Sequence, residues 1–255
     1  MYRTLLALPI AVLLSAGLAA CGGDDGGGDD GDQTVTVYAA ASLTKAFEQL
    51  KDDFEADHEG VTVDLELGGS SDLVTQLVEG ADGDVFASAD EANMTKLTDA
   101  DLQADDPQLF ASNTLEIAVP PDNPAGVQSF EDLAGPDVDL VVCAPEVPCG
   151  AATQSMAELV GVTLDPVSEA DSVTDVIGQV VAGQADAGVV YRTDVIAAGD
   201  DVTGVEFPQA QEVVNRYPIV ALDDAADPEL AQEFVDLVLS EEGQQVLADA
   251  GFGAP

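Results

Sequence analysis

The sequence predicts an α/β fold in which a mostly parallel sheet is flanked by helices. From about Gln33 onward, short apolar runs of β type alternate with longer runs of helical periodicity. Alternation of strands and helices is typical of a parallel sheet that is covered on both faces. The 255 residues, 46% of them hydrophobic, are enough for one large domain or for two lobes with separate cores.

The first part of the chain contains three predicted strands and two predicted helices. The strands are TVTVYAA, VTVDLEL and GDVFASA, and the helices cover residues 42–57 and 70–80. Helical spacing predicts a buried face on each helix. The inward residues are Leu43, Ala46, Phe47, Leu50 and Phe54 on the first helix, and Leu73, Val74, Leu77 and Val78 on the second.

The same theme continues to the C-terminus. TLEIAVP, DLVVCAP, AGVVYRT and YPIVAL are predicted as strands, and residues 149–161, 172–183 and 227–252 as helical segments. Pro218 lies in the last of these strands, and because proline lacks an N–H group it predicts an edge strand or a strand start.

The N-terminal segment is predicted to be processed rather than folded. Residues 1–20 contain one basic residue and then a short apolar run, which is typical of a signal peptide. The ending Leu18–Cys21 resembles the lipobox of bacterial lipoproteins, which implies cleavage before Cys21 and lipid attachment to its sulfur. The alternative is an ordinary secretory signal with an incidental cysteine. Residues 21–33 are acidic and glycine-rich, as expected of a flexible tether.

The charge balance is extreme, with 50 Asp and Glu against 6 Lys and Arg and a net charge of −44. Such a chain repels nucleic acid and anionic lipid headgroups, so these partners are excluded. Self-repulsion also destabilises the compact state at low ionic strength, and this indicates a salt-rich habitat.

We expect the melting temperature of the protein to rise between dilute buffer and molar salt, because salt screens the repulsion between its acidic side chains. An unchanged melting temperature across a thermal-unfolding series in increasing salt would contradict this.

The cysteines and the single histidine limit the possible chemistry. Outside the cell, Cys143 and Cys149 could form a disulfide, but the sequence does not establish their separation in space. Their spacing is a poor metal motif. His58 is the only histidine, which argues against a histidine zinc site and against a Ser-His-Asp triad.

Four turns share one form, a strand followed by small residues and a helix start. They lie at Ser42, at Ser70, at Cys149 with Gly150, and at Ser172 with Val173. The first N–H groups of a helix are unpaired and carry the positive end of the helix dipole, so each turn is a candidate anion site. A serine there is more often simply a helix cap. The adjacent serines of GGSSDL are more suggestive, because only one of them is needed for capping.

Tyr191 ends an apolar strand, where its hydroxyl could donate to a ligand or be satisfied by backbone. Neighbours on a strand face opposite sides, so if Tyr191 faces a cleft, Arg192 does not. Asp84 and Asp90 flank the strand VFASA and are interpreted as turn and cap residues.

Several of these segments together resemble a known family, the molybdate-binding proteins of bacterial ABC transporters. The similar segments are VYAAASLTKAF, GGSSDLVTQLVEGADGDVFASAD, APEVPCG, GVVYRTD and GQQVLADAGF, and they span about 35–252. The resemblance implies a type II periplasmic-binding-protein fold, in which two lobes, each a mostly parallel sheet flanked by helices, are joined by a two-strand hinge. Residues 34–115 and 218–255 would form lobe 1, and residues 116–217 would form lobe 2.

The resemblance also implies an activity and a set of ligand-binding residues. The protein would capture molybdate, and usually tungstate, and deliver it to the membrane subunits of an ABC permease. It would be a monomer without enzymatic activity or a cofactor, held by its lipid at the outer face of the cytoplasmic membrane. The oxyanion would be bound by the hydroxyls of Ser42, Ser70 and Tyr191 and by the backbone N–H groups of Cys149 and Val173, with no direct metal ligand.

Three other functions remain open at this stage. The protein could bind another tetrahedral oxyanion such as sulfate or phosphate. A secreted serine hydrolase is less well supported, because neither Ser42 nor Ser70 lies in a GxSxG motif and a histidine base is lacking. A purely structural surface protein is a further alternative, against which the repeated helix-start turns argue weakly.

Overall fold

The computed structural model describes residues 33–255. The predicted signal peptide, its lipid-attachment residue Cys21 and the predicted tether up to residue 32 lie outside the described residues. Gln33, placed in the tether by the sequence, is the first residue of a strand. Among the described residues, no helix is both long enough and apolar enough to cross a bilayer.

The described part of the chain contains nine strands and eight α-helices, which largely alternate. The strands are β1 (Gln33–Ala40), β2 (Val61–Gly68), β3 (Val85–Ala87), β4 (Gln108–Val119), β5 (Leu140–Cys143), β6 (Ser168–Ala170), β7 (Ala187–Tyr191), β8 (Thr203–Val205) and β9 (Val214–Ala221). The helices are α1 (Thr44–Asp57), α2 (Ser70–Val78), α3 (Glu91–Asp99), α4 (Pro148–Val160), α5 (Val173–Val181), α6 (Arg192–Ala198), α7 (Pro228–Leu239) and α8 (Glu241–Asp249). The sequence analysis did not identify α3, α6, β6 or β8.

The strands follow the order β2-β1-β3-β9-β4-β7-β5-β6, with β8 paired to β4. The pairs of β1 with β2 and β3, and of β5 with β6 and β7, are parallel. The long strands β4 and β9 run antiparallel to each other and to their other neighbours. Each half of the sheet is therefore mostly parallel, and β4 and β9 join the halves.

The fold is two-lobed, and its apolar cores follow the same division. One cluster comprises residues between Leu115 and Ala210 together with Ala41. The other side of the hinge carries two clusters, drawn from residues 35–111 and 217–252. This arrangement agrees with lobes that meet at β4 and β9, while the boundaries at 115/116 and 217/218 stay a prediction.

The helical faces were predicted well, with one exception. On α1, the predicted inward residues that belong to the helix are all buried. On α2, Leu73, Val74 and Leu77 are buried, but Val78 is 49% exposed, so that prediction was wrong. Val78 lies four residues after the buried Val74 and so fits the helical period, but it is the last residue of α2, where the helix ends.

The prediction that Pro218 marks an edge or a strand start was also wrong. Pro218 is internal to β9, and β9 lies in the middle of the sheet between β3 and β4. The ladder to β4 shifts register between Leu109, which is opposite Pro218, and Ala111. Because the ladder is irregular here, β9 can accommodate a proline, which has no N–H group to donate to β4. The Pro218 carbonyl accepts from the Ser88 N–H at 3.0 Å.

Glu116 is a buried carboxylate on β4, and it should make stability depend on pH. It is 7% exposed, and burial, reinforced by Glu206 and opposed by Arg192, raises its pKa from 4.5 to about 6. Ionised Glu116 thus destabilises the fold above pH 6, and this cost disappears below about pH 4.5. We expect Glu116→Gln to raise the free energy of unfolding by up to about 2 kcal/mol at pH 7.5 and by almost nothing at pH 4.5.

Urea unfolding at pH 4.5, 6 and 7.5 measures this difference. The matched control is Glu79→Gln, which removes the same charge from an exposed position at the end of α2. Equal gains for the two variants would show that the effect comes from net charge rather than from burial of Glu116.

Candidate functional site

The residues predicted to bind a ligand lie around one cavity. Ser42, Ser70, Cys149, Val173 and Tyr191 all contribute to its wall. The cavity measures about 10 Å³, little more than the space that one buried water occupies. Ser42 also borders a larger cavity of about 340 Å³ between α1, α5 and α6. The five residues come from both sides of the hinge, so the fold alone brings them together.

Four helical turns begin at the cavity wall. A short 3-10 turn, Ala41–Leu43, leads into α1, and Gly69 is the N-cap of α2. Cys149 is the second residue of α4, and Val173 is the first residue of α5. Because the first N–H groups of a helix have no partner within it, these turns direct unpaired donors and positive dipole ends toward the cavity.

Ser42 is not a helix cap. It lies within the 3-10 turn, and no side-chain cap bond is formed at the start of that turn or of α1. Its hydroxyl is instead 2.9 Å from the hydroxyl of Tyr217. The simplest interpretation of the sequence, a serine that only caps a helix, therefore does not describe this residue.

The structure separates the two adjacent serines. Ser70 begins α2 and lines the cavity, and its Oγ accepts the backbone N–H of Ala89 at 3.0 Å. Because a lone pair of Ser70 Oγ accepts this N–H, the proton of the Ser70 hydroxyl remains available for another acceptor. Ser71 is also buried, but it does not line the cavity, and its Oγ has no hydrogen-bond partner among residues 33–255.

The other two turns differ in how they are held. Cys143, at the end of β5, forms a disulfide with Cys149, and the two Cα atoms are 5.7 Å apart. The bond ties the start of α4 to its preceding strand. At α5, the Ser172 hydroxyl caps the helix by accepting the Asp175 N–H at 3.2 Å and donates to the Asp175 carboxylate at 2.7 Å. Ser172 therefore caps α5. Val173, the first residue of the helix, is the residue of this turn whose backbone N–H is predicted to bind the ligand.

Tyr191 ends β7 and is 1% exposed. Its hydroxyl has no hydrogen-bond partner within the described part of the chain. Burial, and to a smaller extent the neighbouring Tyr217, raises the pKa of Tyr191 well above its ordinary value, so the hydroxyl keeps its proton. Arg192 points elsewhere, into a separate cavity that also contains Glu116 and Glu206.

No charged residue is among those that line the small cavity in residues 33–255. A buried carboxylate lies nearby, since Asp194 accepts the Tyr191 N–H at 2.8 Å. Burial raises the pKa of Asp194 to about 7, so a good part of this group is neutral near neutral pH. The wall of the cavity is thus made of neutral groups, with one partly ionised carboxylate behind Tyr191.

The aspartates that flank β3 have structural roles. Asp84 is buried and accepts the backbone N–H groups of Thr36 and Ala226, each at 2.7 Å. Asp90 is the N-cap of α3 and accepts from Asn93. His58 stays at the end of α1, where its ring nitrogens contact the Phe54 carbonyl and Glu233. None of the three lines the cavity.

Two residues near the site were missed by the sequence analysis. Tyr217 is fully buried in β9, with its hydroxyl against Ser42, and Asn113 on β4 donates to Thr193 at 2.8 Å. In the sequence, a tyrosine in an apolar strand is indistinguishable from an ordinary core residue. The one usable signal was that a fully buried tyrosine hydroxyl needs a polar partner.

Comparisons with known proteins show the family to which the chain belongs. Residues 35–253 match the family model described as bacterial extracellular solute-binding protein. The chain is 44% identical over 251 residues, 96% of each chain, to the molybdate-binding protein ModA of Mycobacterium tuberculosis. It is 31% identical over 257 residues to YvgL of Bacillus subtilis, a putative ABC transporter substrate-binding lipoprotein, covering 99% of this chain and 98% of that one.

Among solved structures, the periplasmic molybdate-binding protein of Azotobacter vinelandii superposes with a TM-score of 0.75. The alignment covers 87% of this chain and 99% of that one at 23% identity. This likeness supports the two-lobed fold.

Proposed function

The chain belongs to the family of bacterial extracellular solute-binding proteins, and from that premise we propose that it captures molybdate for uptake through an ABC transporter. It is a binding protein rather than an enzyme. The observation that carries the proposal is the convergence of four helical N-terminal turns and three hydroxyl-bearing side chains on one uncharged cavity. The name of the mycobacterial relative indicates the same ligand.

Neutral donors are sufficient to hold a dianion in such a cavity. The hydroxyls of Ser42, Ser70 and Tyr191 would donate to the molybdate oxygens, together with the N–H groups of Cys149 and Val173. Hydrogen bonds to charged oxygens are strong in a region of low dielectric, and each helix start adds roughly half a positive charge. The net charge of −44 is therefore no obstacle to anion binding.

A cavity lined by donors favours anions that carry no proton. Molybdate and tungstate are fully deprotonated near neutral pH, whereas hydrogen phosphate would place an O–H group against donors, which is a costly buried mismatch. Sulfate is also free of protons, so only the size of the site would disfavour it against molybdate. Because the cavity measures only about 10 Å³, a tetrahedral anion would enter as the lobes move apart about β4 and β9.

Calorimetric titration with molybdate, tungstate, sulfate and phosphate tests the proposal. It should be performed in high salt, which screens the acidic surface. We expect tight binding of molybdate and tungstate, weaker binding of sulfate and none of phosphate. Preference for sulfate or phosphate would favour the alternative oxyanion function, and silence with every anion would overturn the binding proposal.

We also propose a location and a partner that follow from this function. The protein would be tethered by a lipid on Cys21 at the outer face of the cytoplasmic membrane and would present its closed form, as a monomer, to the permease subunits. The B. subtilis relative is likewise described as a lipoprotein. Replacing Cys21 by Ala should move the protein from the membrane fraction to the aqueous fraction, and persistence in the membrane fraction would contradict lipid attachment.

A further inference from the structure

A chain of buried polar groups extends behind the cavity, away from the ligand. The Tyr217 hydroxyl is 2.9 Å from Ser42 Oγ, and Asn113 Nδ2 is 3.4 Å from the same Tyr217 hydroxyl. Asn113 Nδ2 also donates to Thr193 Oγ1 at 2.8 Å. Tyr217 does not line the cavity, so its hydroxyl would act on a ligand through a neighbour, and Ser42 Oγ is the cavity hydroxyl within hydrogen-bond distance of it.

The orientation of the Asn113 amide is set by the backbone. The Thr114 N–H, which can only donate, is 3.0 Å from Asn113 Oδ1. This contact identifies Oδ1 as the acceptor, so Nδ2 with its two protons faces Thr193 and Tyr217. Asn113 therefore presents a proton, and not a lone pair, to the Tyr217 hydroxyl.

The direction of the remaining hydrogen bond follows from this orientation. A tyrosine hydroxyl has one proton, and with Asn113 donating to its oxygen, that proton is free to point toward Ser42 Oγ. In that arrangement Ser42 would accept from Tyr217, and its own proton would be available to the cavity. Ser70 is in the same condition, because its Oγ accepts the Ala89 N–H.

We infer that Tyr217, oriented by Asn113, is a positioning and specificity-determining residue that makes Ser42 a hydrogen-bond donor toward the ligand. This inference rests on the proposed function and deepens it. Both cavity serines have their acceptor side occupied by a protein donor, so each presents a hydrogen to an anion. An anion without protons can accept hydrogen bonds from both serines. The O–H group of a protonated anion would face a serine hydrogen instead of an acceptor.

The test is a double-mutant cycle on molybdate affinity with wild type, Tyr217→Phe, Ser42→Ala and the double variant. Phenylalanine keeps the ring, which packs edge-on against Phe110 and Phe252. We expect Tyr217→Phe to weaken molybdate binding about 10-fold when Ser42 is present. In the Ser42→Ala background the same change should have no further effect, because the group through which Tyr217 acts is gone.

A purely structural role for Tyr217 would give the same loss in both backgrounds, and that result would overturn the inference, as would wild-type affinity in Tyr217→Phe. Because molybdate and sulfate both carry no proton, Tyr217→Phe should lower the affinity for each anion by the same factor. The matched control is Tyr38→Phe, a buried tyrosine on β1 that does not line the cavity; its affinity should equal that of wild type.

A second variant keeps the inference testable if Tyr217→Phe folds poorly. Asn113→Ala removes the donor that orients Tyr217, so it should weaken molybdate binding several-fold with Ser42 present and not in its absence. An equal effect in both backgrounds would again overturn the inference. If the wild-type protein binds no oxyanion at all, the proposed function fails. If wild type binds molybdate and the Tyr217→Phe and Asn113→Ala variants bind it with wild-type affinity, only the role of Tyr217 fails.

Discussion

Replacing Ser42 and Ser70 together by alanine should lower molybdate affinity by about 10²- to 10⁴-fold. Each hydroxyl is predicted to donate to a charged oxygen, and such a bond contributes about 1.5–3 kcal/mol. For Ser42→Ala alone we expect a loss of about 1–3 kcal/mol. Ser70→Ala also removes the acceptor of the buried Ala89 N–H, so this variant should lose some stability as well as affinity.

Calorimetry measures the affinities, and thermal unfolding without ligand separates binding from folding. Ser71→Ala is the matched control, because Ser71 is the buried neighbour of Ser70 and lies outside the cavity wall. Its affinity for molybdate should match that of wild type. A loss of stability with unchanged affinity in Ser42→Ala or Ser70→Ala would return these residues to a structural role.

Replacing Gly69 by alanine should weaken molybdate binding about 10- to 100-fold. The backbone of Gly69 has φ −64°, which alanine adopts freely, so conformational strain is not the issue. A Cβ atom at this position would clash with the Asp171 carbonyl oxygen. The clash would push the start of α2 away from the turn before α5, and crowding of this kind costs about 1–3 kcal/mol.

Gly69 and Asp171 belong to different predicted lobes, so their contact should matter most when the lobes are closed on a ligand. We therefore expect the affinity of Gly69→Ala to fall more than its melting temperature without ligand. Gly178→Ala is the control, because Gly178 lies within α5 and a Cβ there meets no atom within 4 Å. It should leave affinity unchanged and add up to about 1 kcal/mol of helix stability. Wild-type affinity in Gly69→Ala would show that this close approach has no role in binding.

Local patterns accounted for most of the secondary structure. The spacing of Ala46, Phe47, Leu50 and Phe54 defined the buried face of α1, because the helical period of 3.6 residues is written directly in the sequence. Two of the three-residue strands, β6 and β8, were missed because so short a run carries little periodicity, whereas β3 was found within the apolar run VFASA. Val78 was misplaced because the helical period, which it fits as the fourth residue after Val74, does not show where the helix ends.

The residues of the candidate site were likewise predicted only in part from the sequence. The family resemblance pointed to Ser42, Ser70, Cys149, Val173 and Tyr191, and the turns themselves indicated where helix starts would offer donors. The sequence did not identify Tyr217 or Asn113 as neighbours of the site. Nor did it establish the Cys143–Cys149 bond, which the structure contains with its Cα atoms 5.7 Å apart.

The sequence by itself determined the α/β class, the face that α1 buries and the presence of helix-start turns with unpaired donors, because these depend on residues close together in the chain. Only the tertiary structure decided which hydroxyls meet. Ser42 and Tyr217 are 175 positions apart and come within 2.9 Å. They meet because β1, which leads into the turn of Ser42, and β9, which carries Tyr217, flank the same central strand β3, and such long-range pairing leaves no local pattern in the sequence.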